Sequence, residues 1–188
     1  MKILLPKREI RSEEWPSGKT LRFFLGGPIR GGGDWQHQMC LTLQALNDDC
    51  LICCPCRWDE THRLAKYFLL GKEAGYTHQL AWERDQLNWI GAGTDSCIIF
   101  WLPVQCEPRP SEQGPYARDT YGELGEWRGR MMKKPYPSVR MVVGGEPGFP
   151  GLDVITRNFR HAVSGDFPVY PTMEETAEAA VKRAKRAY

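Results

Sequence analysis

The 188-residue sequence has no long apolar run. Nothing in it approaches the ~20 consecutive apolar residues that span a bilayer. The stretch from Met1 to Trp15 has neither the apolar segment nor the small-residue cleavage site of a secretory leader. A cytoplasmic protein with no membrane partner is therefore expected. An excess of charge of one sign is also missing, since 25 Lys and Arg stand against 23 Asp and Glu for a formal net charge of +2. That balance argues against a nucleic-acid coat or a polybasic anchor, so no nucleic acid is expected as partner and a small ligand is. There is no internal repeat, no low-complexity tract, no G-x-G-x-x-G fingerprint and no P-loop, which removes the usual signals of NAD and ATP enzymes. Histidine is scarce: His37, His62, His78 and His161 match no metal or triad spacing and receive no role. No metal and no cofactor is assigned.

What is present is an ordinary globular composition, 41% hydrophobic and 26% charged, at a length that suits one domain. Seven cysteines, at positions 40, 50, 53, 54, 56, 97 and 106, are an odd number, and several fall inside apolar runs as small buried hydrophobes do. The cluster Cys50, Cys53, Cys54 and Cys56 has thiols close enough in sequence to share a zinc ion. It lacks a second ligand pair at finger spacing, and Leu51, Ile52 and Pro55 make it read as a buried strand.

Short apolar runs alternate with amphipathic stretches, the pattern of an α/β protein. After a lead-in over residues 1–20 that ends in Trp15-Pro16-Ser17-Gly18, Leu21 to Leu25 reads as a strand, stopped by Gly26-Gly27-Pro28. Gly31-Gly32-Gly33 and the N-cap candidate Asp34 introduce a helix from Trp35 to Leu46, with Met39, Leu43 and Leu46 at spacings of four and three. Cys50 to Cys54 is a second strand and Gln79 to Ile90 a second helix. Asp95 to Leu102 is a continuously apolar strand of the kind covered on both faces of a parallel sheet. A proline-rich loop over 103–115 leads to a helix from Thr120 to Met132 and a strand from Val139 to Val143. Thr172 with Glu175 forms a capping box for a last helix ending in Lys182, Arg183, Lys185 and Arg186, a basic end that suits the helix dipole.

In an open parallel sheet ligands sit beyond the carboxyl ends of the strands. The first strand is followed there by Gly26 to Gly33, whose bare backbone lets N–H groups approach a sugar or phosphate. The third is followed by Arg118-Asp119-Thr120 and Glu123, with Asp119 and Glu123 four apart at a helix start and so on one face. A carboxylate placed there serves as a nucleophile toward an anomeric carbon or as an acid or base, although two acids also suit a helix N-terminus without any chemistry.

Taken together, Phe23-Phe24-Leu25-Gly26-Gly27-Pro28, Asp34-Trp35, Trp82-Glu83 with Leu87, Thr94-Asp95 before Ile98-Ile99-Phe100-Trp101, and Arg118-Asp119-Thr120 with Glu123-Leu124-Gly125 resemble the nucleoside 2-deoxyribosyltransferase family. The likeness covers residues 21–180 in the same order. It implies a flavodoxin-like, Rossmann-like three-layer sandwich over 21–188 with parallel strand order 2-1-3-4-5. It further implies cleavage of the bond between a base and a (deoxy)ribose, with Glu123 as nucleophile and a glycosyl-enzyme intermediate. The acid that assists the departing base would be Glu83. The segment from Glu83 to Asp95 is about one turn longer than the family pattern, which leaves Asp85 as the alternative. Gly26, Gly27 and Pro28 would line the sugar and Asp34 or Trp35 close over it. Arg118 and Thr120 would orient hydroxyls or a 5′-phosphate, and Asp119 would hold Glu123 or touch a hydroxyl. Trp35 and Trp82 stand equally as core or as base-stacking residues.

The resemblance implies a nucleoside or nucleoside monophosphate and a free nucleobase as partners, and a homo-oligomer. Three functions stay open. They are transfer of the sugar between bases, hydrolysis of a nucleoside or its 5′-monophosphate, and non-catalytic nucleotide binding.

Overall fold

The computed structural model describes residues 1–15, 18–69, 71–73, 75–132 and 139–185; Pro16, Ser17 and Arg186, named above, lie outside them. In chain order the strands and α-helices are β1 (Lys2–Leu4), β2 (Arg8–Glu9), β3 (Leu21–Gly26), α1 (Trp35–Leu46), β4 (Cys50–Cys53), β5 (Lys72–Glu73), α2 (Gln79–Ala92), β6 (Ser96–Leu102), α3 (Arg118–Met132), β7 (Met141–Gly145), α4 (Leu152–Ala162), β8 (Val169–Tyr170) and α5 (Met173–Lys185). Six strands form one parallel sheet in the order β1-β4-β3-β6-β7-β8, and β2 and β5 form a small antiparallel ribbon beside it. This is an α/β architecture compatible with a Rossmann-like fold. Among the described residues no helix is long and apolar enough to cross a membrane.

The sheet is covered on both faces, and its sequence shows why. Phe23, Leu25, Cys97, Ile99, Trp101 and Val142 pack with α1 and α5, whereas Phe24, Ile98, Phe100, Leu102, Met141 and Val143 pack with α2, α3 and α4. Successive strand residues point to opposite faces, so a strand buried on both must be apolar at every position. β6 meets that condition along its whole length except for Ser96, whose buried hydroxyl donates to the Ile90 carbonyl at 2.6 Å.

Part of the lead-in over 1–20 joins the sheet. Lys2–Leu4 pairs in parallel with Leu51–Cys53 at the sheet edge, and Ile3 and Leu4 are fully buried, one on each face. Three residues are too few to display an alternation, and it is the pairing with β4 that makes them a strand. The helix α4 and the two-residue β8 carry no sequence expectation. The start of α5 is capped as expected, with the Glu175 N–H donating to Thr172 Oγ1 at 3.2 Å. Its basic end is put to structural use, since Arg183 donates to the Met141 carbonyl. Arg140, buried beneath that end, donates to the Ala184 carbonyl at 2.9 Å, where the helix dipole favours a cation.

All the cysteines but Cys106 are buried, and none is paired. Burial pushes the thiols of Cys50 and Cys97 up to about 12 and raises those of Cys53 and Cys54 as well. They are protonated core groups, in keeping with the buried-strand reading of residues 50–54.

Candidate active site

The chain leaves β3 toward α1 on one face of the sheet and reaches β6 through α2 on the other, so the crevice opens at the carboxyl ends of β3 and its neighbours. A cleft of about 1040 Å³ lies there, lined by Gly26 at the end of β3 and residues 27–30 after it, by Pro55 and Arg57 after β4, and by α2, α3 and the loop before α3.

Gly26 and Gly27 are required by packing rather than by looseness. A Cβ on Gly26 would lie 2.6 Å from the Phe100 ring. Gly27 has φ +148°, and a Cβ there would meet the Trp101 carbonyl and stand 2.8 Å from Trp35. Trp35 is buried and donates its indole N–H to the Pro28 carbonyl at 2.8 Å. The glycine loop is thus clamped from below. From above it is held by the loop 103–116, where the Cys106 N–H donates to the Gly31 carbonyl at 2.8 Å. Tyr116 closes that loop by donating to the Pro103 carbonyl at 2.7 Å.

α2 and α3 bring the acids. On α2, Gln79 and Glu83 are one turn apart and both line the cleft, with Gln79 Nε2 donating to Glu83 Oε1 at 2.7 Å. Two positions further along a helix is about 200° of rotation, so Asp85 faces away. It is exposed, does not line the cleft, and accepts a hydrogen bond from the Tyr76 hydroxyl at 2.8 Å. Of the two alternatives for the leaving-group acid, Glu83 is therefore the one the fold brings to the crevice.

On α3, Asp119, Thr120 and Glu123 all line the cleft. The helix opens from Ala117, held at φ +59°, an uncommon conformation for a residue with a Cβ. Glu123 is pushed up to about 8, chiefly by burial, then by the charges of Glu83, Asp119 and Glu126, with Arg84 acting in the opposite direction. Glu83 is also raised, first by burial and then by Asp119, against the lowering effect of its bond from Gln79. The charge of Glu83 thus adds to burial in favouring the protonated form of Glu123. Asp119 does not hold Glu123 by a hydrogen bond; it is exposed and ion-paired with Arg118 at 3.1 Å, and acts on Glu123 only through its charge. Glycines recur along α3 at Gly122, Gly125 and Gly129, and nothing stands within 4 Å of where their Cβ atoms would be.

Asp34 and Trp35 do not line the cleft. Trp35 is core beneath Gly27, and Trp82 is core as well, fully buried and donating to the Arg8 carbonyl at 3.0 Å. Neither offers a face to a base. Asp34 turns toward His37, His62 and Trp58. Arg118, Gly26, Gly27, Pro28 and Thr120 do line the cleft, beside Glu83, Asp119 and Glu123. Sequence reasoning missed Gln79, whose one signal is its position four residues before Glu83. It also missed the arginines Arg30, Arg57, Arg84 and Arg109, which surround the acids.

No family model and no curated protein sequence matches the chain.

Proposed function

We propose that the protein cleaves the N-glycosidic bond of a (deoxy)nucleoside and passes the sugar from Glu123 to a second base, as its resemblance to the nucleoside 2-deoxyribosyltransferases implies. The observation that carries this reading is the pair of part-buried acids, Glu83 and Glu123, facing one cleft beside a glycine loop at the carboxyl edge of the sheet. The succession β4-β3-β6-β7-β8, which is 2-1-3-4-5 with the edge strand and the ribbon left aside, supports a flavodoxin-like assignment. A homo-oligomer belongs to the same reading on resemblance alone.

The reaction needs one proton on the pair and one charge. Ionised Glu123 attacks C1′ and the C1′–N bond breaks. Its electron pair goes to the base, which Glu83 protonates on a ring nitrogen. A second base, whose N–H proton passes to the Glu83 carboxylate, then displaces Glu123 from C1′, and two displacements retain configuration. Burial and the neighbouring charge of Glu83 favour the protonated form of Glu123, so the reacting arrangement requires that proton to pass to Glu83. A bound sugar with developing positive charge at C1′ favours that shift, because an anionic Glu123 then gains a partner.

A second reading, hydrolysis of a nucleoside 5′-monophosphate, is favoured by a separate observation. Arg30 and Arg57 are exposed at the cleft, and among the described residues neither has a hydrogen bond or ion pair. Two free guanidinium groups suit a phosphate.

The test incubates the protein with a 2′-deoxynucleoside and a different free base and follows both by chromatography, beside Glu123→Ala. Base exchange by the wild type and its loss in the variant are expected. Hydrolysis confined to the 5′-monophosphate would select the second reading, and no turnover of either substrate, or equal activity in the variant, overturns the assignment.

A further inference from the structure

Asp34 stands just past the glycine loop as the N-cap residue of α1, and His37 is one turn into that helix. His62 reaches them from the loop after β4. Three atoms meet: Asp34 Oδ2 lies 3.7 Å from His37 Nδ1 and 3.5 Å from His62 Nε2, and the two nitrogens are 3.5 Å apart. None of these residues lines the cleft, so the cluster stands apart from the proposed reaction.

The edges of this triangle are informative. They are longer than the roughly 2.7–3.2 Å of a good hydrogen bond, so the three groups converge without bonding well to one another. The point equidistant from all three atoms lies about 2.1 Å from each, which is the length of zinc–nitrogen and zinc–oxygen bonds. The ligand types agree as well, two imidazoles and one carboxylate being a borderline donor set that suits zinc and its neighbours better than calcium or magnesium.

The surroundings orient the ligands. The Trp58 indole N–H donates to Asp34 Oδ1 at 3.1 Å, which leaves Oδ2 turned to the histidines. The His62 ring is stacked against Trp58 with centroids 4.1 Å apart and planes 7° from parallel. Hydrogen-bonded carboxylates and fixed imidazole planes are the usual outer shell of a metal centre. The His37 side chain is 7% exposed and that of His62 14%, whereas that of Asp34 is 44% exposed, so an ion would have an open approach on one side.

Three features oppose a cation, the first being the positive charge of Arg63, which acts on His37. The N-terminus of α1 is the positive end of a dipole, which the Asp34 carboxylate offsets. The Leu64 N–H also donates to His62 Nδ1 at 3.3 Å. A neutral imidazole has one free lone pair, so coordination through Nε2 requires the proton to sit on Nδ1 and gives up this long contact.

We propose that Asp34, His37 and His62 form a binding site for a divalent transition-metal ion of the zinc type, with three protein ligands and a fourth position for water. Such an ion ties the loop carrying Trp58 and His62 to the start of α1, next to the glycine loop that forms one wall of the cleft.

The test uses the full chain carrying Cys106→Ser, so that the one exposed thiol cannot contribute, stripped with a chelator and titrated with zinc alone by calorimetry. One equivalent per chain is expected, and cobalt in place of zinc should give the intense visible bands of a four-coordinate site. His62→Ala and Asp34→Asn should each weaken binding at least tenfold, the Asn variant serving as an isosteric control for folding. Trp58→Phe, which keeps the ring but loses the N–H to Asp34, should weaken it roughly tenfold. Glu123→Gln should bind as the parent does, so that failure of the cleft reading leaves this result untouched. No zinc uptake, or the same uptake in a folded His37→Ala/His62→Ala variant, overturns the proposal.

Discussion

Replacing Glu123 by glutamine should stabilise the fold, by an amount that grows with pH. Glu123 binds its proton more tightly in the folded chain, about 8, than at its ordinary value of 4.5. Below 4.5 both states are protonated and the acid costs nothing. Between 4.5 and about 8 the unfolded chain has released the proton while the folded chain retains it, so stability falls steadily as pH rises; above about 8 both are ionised and the loss is complete. At 1.36 kcal/mol per pH unit the whole displacement sets an upper limit on the order of 4–5 kcal/mol. The cleft is open to water and the acid is coupled to Glu83, which brings the expected difference to roughly 1–3 kcal/mol. For a chain of this length each kcal/mol moves the melting temperature by roughly 2–4 °C. Thermal melts of wild type and Glu123→Gln at pH 4.5, 6.5 and 8 should therefore start nearly together and separate by several degrees, the variant melting higher. A gap that stays constant with pH, or closes as pH rises, would refute the claim that Glu123 is held above its ordinary value by burial.

In the proposed reaction the same pair would set the pH dependence of activity. The pH profile of kcat/KM should be bell-shaped, with its alkaline limb near 8 and its acid limb above the ordinary carboxylate value, and Glu83→Gln should remove one limb. Asp85→Asn, at a residue turned toward Tyr76, should leave kcat/KM within about twofold of wild type, whereas Glu83→Gln should lower it by roughly 10²-fold or more; comparable losses in the two would reverse the choice between them. Gly27→Ala should destabilise by about 2 kcal/mol or more in urea denaturation, because the new methyl group has Trp35 and the Trp101 carbonyl in its place. Arg57→Ala should raise KM for a nucleoside 5′-monophosphate at least tenfold while leaving that for the free nucleoside within twofold, and equal effects on both would argue against a phosphate position at that rim.

Much of the frame was legible because each of its signals is local. The apolar run at 96–102, the glycine punctuation after Leu25, the Met39 and Leu43 spacing and the Thr172–Glu175 cap each mark one element without reference to any other. β1 and β8 escaped for the same reason reversed, since two or three residues cannot show a period. α4 does carry one, with Leu152, Ile155 and Phe159 at spacings of three and four, but no capping side chain at Gly151 marks its start. In the cleft, Glu123 and Asp119 were readable from their spacing on one helix face. The choice between Glu83 and Asp85 was not, because it depends on the phase of α2, which is set by the burial of Trp82 and Leu87. The arginines and the meeting of Asp34 with His62 depend on loops without periodicity, and only the tertiary structure brings those residues together.

The three open glycines of α3 bear on the local stability of that helix. Each costs a helix roughly 0.8–1 kcal/mol relative to alanine, so the element carrying Glu123 would be the least able to stand alone. Its order comes from the packing of Leu124 and Trp127 against the sheet rather than from its own backbone preference. Its amide protons should accordingly exchange with solvent faster than those of α5, which is rich in alanine. The Glu123 carboxyl thus rides on a helix whose own backbone preference is weak, and which should open locally at a lower cost than α5.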